Sequence, residues 1–398
     1  MSTLVAILGL AFLILIHEAG HFYTALAVGM RPRKFYIGFP PPLVRARRRG
    51  IEYGIGTIPL GGYVKIPGMH RPAARDLDYR LQGAVRRSPA LMQYVEAVKR
   101  PLELGDFDGA RLALGELETE MRAAGQPTET LTDVRDALAN DAYWKQAPWK
   151  RILVIFAGPG TNALFAVIIF AVLFMTGGGK ATTTVDQVLA KTPAAHMGLK
   201  AGDQVVAING DPVESPGDIP KTISHSHGHP ITLQVKRGGQ IIILGPTKPE
   251  KSAGVYRLGF ALKGKGLPPF AALKSSVRLT GLVSRDIVSS LGHLVHKQGR
   301  EQISSPVGIV QGSSAAVHQG LDSYLWVLGL ISLSLALLNL LPLLPLDGGH
   351  IFFSLLEAVR GRAVTREVYE RVSAIGIALV LLLFFIGLTN DVGRIGGG

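Results

Sequence analysis

The chain has 398 residues, of which 47% are hydrophobic, and its mean hydropathy of +0.28 is unusual both for a soluble protein and for a pure bundle of membrane helices. It contains no cysteine, which excludes disulfides and thiolate metal ligands, so a metal site would have to use histidine and carboxylate. The net charge of +13 is compatible with nucleic-acid binding, but the basic residues flank apolar runs and show no aromatic-basic pattern. We therefore expect a protein of the lipid bilayer, with no nucleic-acid partner.

The first apolar run, residues 4–28, contains an H-E-x-x-H pattern formed by His17, Glu18 and His21. A spanning helix needs about 20 apolar residues, and no signal-peptide cleavage site follows, so we predict a retained first span over residues 1–30. Residues four apart share a helix face, so both imidazoles can bind one metal ion while Glu18 lies beside a water molecule. Because each ionisable residue at membrane depth costs on the order of 2–3 kcal/mol, we interpret these residues as functional.

A basic cluster follows the first span and predicts that its C-terminal end lies in the cytoplasm. The cluster consists of Arg31, Arg33, Lys34, Arg45 and Arg47 to Arg49. Residues 31–68 are rich in glycine, proline and β-forming residues, which predicts a cytoplasmic, membrane-associated β-hairpin loop. Two interpretations stay open: a plain surface hairpin, or a β-element that reaches toward the active site and offers a free edge to an extended substrate.

Residues 69–149 change in composition to Arg, Glu, Ala and Leu, which predicts a cytoplasmic helical insert. Asp106 or Asp108 is a suitable N-cap for a helix that ends near Ala124. A second helix is expected to begin at Thr130 or Thr132. The charged residues of the insert are interpreted as a solvated face.

The second span is predicted over residues 150–176, entered through tryptophans and basic residues at the membrane interface. It contains the sequence G-P-G-T-N, from Gly158 to Asn162. Glycine and proline loosen a helix and allow another backbone to approach closely. Asn162 needs a partner in this environment, either in a neighbouring helix or in a substrate.

Residues 183–262 show alternating apolar strands and Asn-Gly turn chemistry, with strands expected at 231–237, 240–244 and 256–262. This segment resembles a PDZ domain of the bacterial, circularly permuted type. The resemblance implies that Leu258, Gly259 and Phe260 lie at the peptide-binding edge. Histidines of the loop at 225–229 are interpreted as solvated.

Residues 270–320 are predicted to form an amphipathic linker on the membrane surface, with apolar positions that include Leu273 and Leu294. A third span is predicted over residues 324–347. Pro342 and Pro345 cannot continue a regular helix, and we expect a tight bend at the sequence Asp-Gly-Gly, residues 347–349. A carboxylate at membrane depth requires a protein-buried or wet cavity.

A basic loop around residues 360–366 precedes a fourth span, predicted over residues 372–389. The fold class is therefore a polytopic α-helical membrane protein with four transmembrane helices, an inserted α+β PDZ domain and a cytoplasmic β-hairpin loop. The charge markers place both termini and the PDZ domain outside the cytoplasm.

The same topology brings the carboxylate of Asp347 to the depth of the two histidines. Two histidines, one carboxylate and an open fourth position are a standard arrangement for catalytic Zn²⁺. His17, His21 and Asp347 are thus the candidate metal ligands. Glu18 is the candidate general base, which would pass a proton from water to the leaving amine.

Two asparagines, Asn162 and Asn339, are candidates to bind the substrate or its developing oxyanion. His350 is an alternative metal ligand, but it lies beyond the expected Gly-Gly bend.

Five motifs together resemble the site-2 protease family of intramembrane zinc metalloproteases. They are H-E-A-G-H at 17–21, P-L-G-G-Y at 59–63, the G-P-G-T-N sequence with Asn162, the PDZ-like segment, and N-x-x-P-x-x-P-x-D-G-G at 339–349. The order of the motifs is similar to that of the bacterial regulators of sigma-factor signalling. The resemblance covers nearly all of the chain except the insert.

The resemblance implies a membrane-embedded zinc metalloendopeptidase of the bacterial inner membrane. Its substrate would be a single-span membrane protein such as an anti-sigma factor, cut within or near its transmembrane segment after a first extracytoplasmic cleavage. In the family, the residues that match His17, His21 and Asp347 bind zinc, and the residue that matches Glu18 is the base.

Two other classes of function are compatible with parts of the sequence. A catalytically silent PDZ scaffold would tether partners at the membrane, but it would not need the four catalytic positions. A zinc or solute transporter would show polar residues across its spans and inverted repeats. Neither feature is apparent in the sequence, and residues 4–16 of the first span are apolar.

Overall fold

The computed structural model describes residues 1–252, 254–293, 304–362, 364 and 366–396. Within these ranges, four helices are long and apolar enough to cross a membrane: Ser2–Ala27, Pro148–Gly178, Leu321–Asn339 and Glu367–Gly393. The apolar helices and accompanying β-sheets agree with the predicted membrane protein with an inserted domain. The number of spans and the sidedness stay predictions.

The chain forms two compact units, and the first comprises Met1–Ala166 and Ser284–Gly398. Its helices are apolar on most faces where they are long, as expected for segments in lipid, and amphipathic where they form the insert. They are α1 (Ser2–Ala27), α2 (Ala74–Arg87), α3 (Met92–Leu104), α4 (Phe107–Ala123), α5 (Thr132–Leu138), α6 (Pro148–Leu173), α10 (Pro306–Gln319), α11 (Leu321–Asn339), α12 (Asp347–Arg360) and α13 (Arg366–Gly396).

The predicted β-hairpin is confirmed: β1 spans Lys34–Arg48, β2 spans Ile51–Lys65, and the two strands form one sheet. The beginning of β1 is paired on both sides, because Phe35 pairs with Tyr53 and also with Val64. The strands therefore fold back on themselves, and the last residues of β2 come to one border of the sheet.

The helical insert has its own apolar core between α2, α3, α4 and α5. The largest fully buried side chains in it are those of Leu77, Leu81, Leu117, Met121, Leu131 and Leu138. The predicted cap is confirmed at Asp106, whose carboxylate accepts a hydrogen bond from the backbone N–H of Gly109 at 2.9 Å. The second helix begins at Thr132, one of the two predicted positions.

The structure confirms one prediction for the third apolar segment and corrects another. Helix α11 ends at Asn339, so the predicted span over residues 324–347 is broken, as Pro342 and Pro345 predict. The break lies in residues 340–346, where two prolines cannot donate to the helical ladder. The predicted tight bend at residues 347–349 is wrong, because Asp347 begins α12 and both glycines lie in its first turn.

The second compact unit comprises Val167–Val283. Its elements after α6 are β3 (Lys180–Val188), α7 (Pro193–His196), β4 (Gln204–Ile208), β5 (Asp211–Pro212), α8 (Asp218–Ser224), β6 (Ile231–Arg237), β7 (Gln240–Thr247), β8 (Glu250–Ser252), β9 (Val255–Arg257), β10 (Phe260–Lys265) and α9 (Pro269–His293). Six of the strands form one sheet in the order β10-β3-β4-β6-β7, with β5 paired to β4.

One ion pair ties the end of β6 to the turn before β4. The guanidinium of Arg237 donates from Nε and Nη2 to the two carboxylate oxygens of Asp203, at 2.6 and 2.7 Å. The hydrogen bonds from Arg237 hold the pKa of the buried Asp203 carboxyl below its usual range. The two strands predicted at 231–237 and 240–244 are confirmed.

One other prediction in the second unit needs adjustment. The strand expected at residues 256–262 is divided into β9 and β10, because Leu258 is buried and Gly259 takes a positive φ of 87° between them. The amphipathic stretch is a helix, α9, whose apolar Phe270 and Val277 are exposed. Its predicted position Leu294 lies outside the described residues.

Candidate active site

Helix α1 brings the H-E-x-x-H residues together as the pattern predicts. His17 and His21 are buried and one turn apart, with 3.2 Å between their Nε2 atoms. Glu18 lies beside them, half-buried, within electrostatic reach of both imidazoles. An apolar segment in lipid must be helical, because only a helix satisfies its own backbone hydrogen bonds. The three polar side chains on this helix therefore need a site that is enclosed by protein.

Helix α12 supplies the third group from 326 residues further along the chain. Asp347 is its first residue, and Oδ2 of its carboxylate lies 3.1 Å from Nε2 of His17 and 3.4 Å from Nε2 of His21. Among the described residues, His17, His21 and Asp347 are the one group of three possible ligands that meets closely enough to hold a metal ion.

The spacing of these atoms fits a metal ion. Tetrahedral Zn²⁺ with bonds of about 2.0–2.1 Å separates its ligand atoms by about 3.3 Å, and the three observed separations are 3.1, 3.2 and 3.4 Å. Nδ1 of His21 lies 2.8 Å from the carbonyl oxygen of Val154, which can only accept, so Nδ1 donates. In the neutral ring, Nε2 of His21 then presents a lone pair to the other two ligand atoms, as a metal ligand must.

One candidate ligand atom of the group also lacks a conventional partner. Oδ2 of Asp347 is buried and makes no hydrogen bond within the described part of the chain. Buried polar atoms are nearly always satisfied, and electron-rich atoms this close repel each other unless a cation lies between them. The donor set and its geometry therefore fit zinc.

Two glycines let neighbouring elements reach this group. A Cβ on Gly62 of β2 would lie 2.2 Å from Cγ of Glu18, so only a residue without a side chain allows the strand to pass there. A Cβ on Gly158 of α6 would lie 2.2 Å from Nε2 of His21. The site is therefore bordered by a β-strand on the side of Glu18 and by α6 on the side of His21.

The strand beside Glu18 has an open border. Residues 62–65 pair with residues 34–37 and, as far as the structure describes the chain, with no other strand. The second interpretation of the predicted hairpin, an edge that reaches the active site, agrees with this placement.

The two candidate asparagines occupy different environments. Asn162 is fully buried, and neither its amide nitrogen nor its amide oxygen has a hydrogen-bond partner among the described residues. Asn162 follows Gly158 by one turn and thus shares its helix face. Its backbone carbonyl accepts a hydrogen bond from Oγ of Ser332 at 2.8 Å. Asn339 is half-buried at the last position of α11.

The alternative ligand His350 does not belong to the group of three. It lies one turn after Asp347 on α12, and its Nδ1 is 2.5 Å from the hydroxyl oxygen of Tyr369 on α13. Sequence reasoning did not single out Tyr369, and no local pattern around it would have indicated this contact.

The PDZ-like edge is placed at the border of the second unit. Strand β10 pairs with β3 alone among the described strands, so Phe260 begins a strand with one open edge. Leu258 belongs to the buried core, and Gly259 accepts a backbone hydrogen bond from Leu189 at 2.9 Å. These three residues do not all line the open edge.

Comparison with known proteins gives concordant results. The family model described as "Peptidase family M50" matches residues 5–383. The chain is similar to the zinc metalloprotease RasP of Geobacillus kaustophilus, with 30% identity over 96% of this chain and 95% of that protein. It is also similar to a protein of Enterococcus faecalis described as the probable protease eep, with 27% identity over 99% of both chains.

Proposed function

Since this chain belongs to peptidase family M50, the site-2 proteases, and is a zinc metalloprotease, we propose that His17, His21 and Asp347 bind its zinc ion and that Glu18 is its general base. The observation that supports these roles is the convergence of three ligand atoms within 3.1–3.4 Å from helices α1 and α12. Two neutral imidazoles and a carboxylate leave a fourth position for chemistry.

The residues around the group supply the remaining steps of peptide hydrolysis. A zinc ion held there would act as a Lewis acid toward the scissile carbonyl and the attacking water. The carboxylate of Glu18 takes a proton from that water and donates it to the nitrogen of the leaving amine, which makes the amine a better leaving group. Val154 keeps His21 in the tautomer that ligation requires, through the bond to Nδ1.

The buried amide of Asn162 is suited to bind the substrate. It has one acceptor and two donor hydrogens with no partner in the described structure, and leaving them unpaired costs free energy. A substrate backbone or its developing oxyanion would satisfy them. Asn339, at the end of α11, is proposed as a second contact of the same kind.

The open border at residues 62–65 is proposed to hold the substrate backbone in extended form. A transmembrane helix keeps its peptide groups in intrahelical hydrogen bonds, so it must unwind before it is cut. Pairing with the strand replaces those bonds, and Gly62 places the paired backbone next to Glu18. The substrates are therefore proposed to be membrane proteins cut within or near a transmembrane segment.

The remaining parts of the proposal concern topology and partners. The basic residues after α1 support a cytoplasmic β-hairpin and insert, with both termini and the PDZ-like unit outside, in a bacterial inner membrane. The open edge of β10 is proposed to dock a peptide. A single-span anti-sigma factor, cut after an earlier extracytoplasmic cleavage, is the proposed substrate.

The test of the site is the variant Glu18→Gln, measured in liposomes with a model single-span substrate. We expect cleavage to be lost while one zinc per chain is retained, because the amide keeps the size of the side chain but cannot accept the proton. Glu116→Gln, at an exposed position of α4, is the matched control and should cleave at the normal rate. Retained cleavage by Glu18→Gln would reject the role of the base.

The same inactive variant tests the substrate. A protein that is held but not cut should be recovered with Glu18→Gln from membranes and identified by mass spectrometry. Recovery of anti-sigma factors would support the proposed substrate class, and recovery of other single-span proteins alone would replace it.

A further inference from the structure

Helix α12 is fixed in place by side chains that lie well beyond the group of ligands. The guanidinium of Arg151, at the start of α6, donates from Nη1 to Oε2 of Glu357 on α12 at 2.6 Å. The other carboxylate oxygen of Glu357 accepts a hydrogen bond from the backbone N–H of Val364 at 2.9 Å. The side chains of Arg151 and Glu357 are only 10% and 19% exposed, so this ion pair is shielded from water.

A second contact lies one turn closer to the site. The hydroxyl of Tyr143, in the last part of the insert, is 3.2 Å from Oγ of Ser354 on α12. The guanidinium of Arg151 lies over the ring of Tyr143 at 5.8 Å. The insert and the start of α6 thus hold the same face of α12, since Ser354 and Glu357 are three residues apart.

These contacts matter for Asp347 because of the break before it. Residues 340–346 are not helical, so α11 does not extend into α12 as one continuous rod. The depth and rotation of Asp347 therefore depend on the contacts along α12 as well as on the segment that packs against its first turn. Glu357 is ten residues from Asp347, or about 15 Å along the helix, and the helix transmits any shift of one end to the other.

We propose that the Arg151–Glu357 ion pair is a positioning device for Asp347, which sets the height of helix α12 so that the carboxylate meets His17 and His21. This inference rests on the proposed role of Asp347 as a zinc ligand. The charge-assisted hydrogen bond from Nη1 of Arg151 is suited to such a role, because it is short and directional. Metal ligation tolerates displacements of only about 0.2 Å, so a small shift of α12 is sufficient to weaken the site.

The decisive variant is Glu357→Asp, which keeps the charge but shortens the side chain by one methylene. Re-forming the ion pair then requires a shift of α12 or of the Arg151 side chain. Because α12 carries Asp347, we expect the affinity for Zn²⁺ to fall about 10- to 100-fold, as for other changes behind metal ligands. Affinity is measured on the full-length protein in detergent, by competition with a chelator. Thermal unfolding of the metal-free protein reports separately whether the fold is retained.

Two further variants complete the experiment. Arg151→Met with Glu357→Leu removes both charges together, so no unpaired charge is left buried, and it should weaken zinc binding at least as much. The double variant Arg75→Gln with Glu367→Gln removes an ion pair of 2.7 Å that is 49% and 62% exposed, and it should bind zinc normally.

The outcomes separate the inference from the proposed function. Suppose that Asp347→Asn abolishes zinc binding while the zinc affinity of Glu357→Asp stays within twofold of the wild type. The positioning role is then refuted, and the proposed role of Asp347 as a ligand stands. If Asp347→Asn binds zinc normally, the proposed ligand set itself is wrong. If the methionine–leucine variant fails to fold, Glu357→Asp alone decides between these results.

Discussion

The variant Gly158→Ala tests how closely α6 must approach the candidate zinc site. A Cβ at this position would lie 2.2 Å from Nε2 of His21, about 1.2 Å nearer than the 3.4 Å of an ordinary contact. The ring cannot simply swing away, because Nδ1 of His21 is held at 2.8 Å from the carbonyl oxygen of Val154. Separation of the two helices would instead open the hydrogen bond from Oγ1 of Thr161 to Ile16, now 3.0 Å.

Either response moves a ligand atom by several times the roughly 0.2 Å that metal coordination tolerates. We expect zinc affinity to fall about 10- to 100-fold and kcat/KM for a model substrate to fall about 100-fold. The assays are chelator competition and cleavage in liposomes. Gly160→Ala is the matched control, because its Cβ would meet only the flexible ring of Phe156, at 3.3 Å. Normal zinc affinity in Gly158→Ala would refute the reasoning, since the contact with His21 would then be dispensable.

Three further predictions follow from particular contacts. Gly62→Ala should lower cleavage about 100-fold with zinc affinity unchanged, because its Cβ would displace Glu18 and no ligand; equal losses of both would contradict this. Asp203→Asn should lower the free energy of local opening of β4 and β6 by about 1.5–3 kcal/mol at pH 7, measured by hydrogen exchange. The pKa of Asp203 is lowered in the fold, mainly by Arg237, so its stabilisation is present above the unfolded pKa and is lost as pH falls through the folded pKa. The difference between the variant and the wild type should therefore begin to shrink below about pH 4 and vanish only below the folded pKa. Asp106→Ala should destabilise the insert by about 1 kcal/mol in denaturant unfolding, through loss of the cap of α4.

Local patterns in the sequence were sufficient to identify most of the candidate site residues and several local elements. The i, i+4 spacing of His17 and His21 requires only that the segment be helical, and the apolar flanks ensure that. Asp106 as a cap and the two strands of the hairpin depend on near neighbours as well. Asp347 could be proposed as the third ligand from the sequence because a carboxylate in an apolar segment has few uses other than function.

Contacts between distant segments were decided by the tertiary structure alone. Packing between distant segments places Gly62 of β2 against Glu18, 44 residues away, and Arg151 against Glu357, 206 residues away. The tertiary structure also decides that α12 begins at Asp347. A sequence pattern reports which face of an element is apolar, but not which partner covers it. The sequence therefore reveals the residue types of a zinc site. The distances between the candidate ligand atoms depend on how the helices and the strand pack around them.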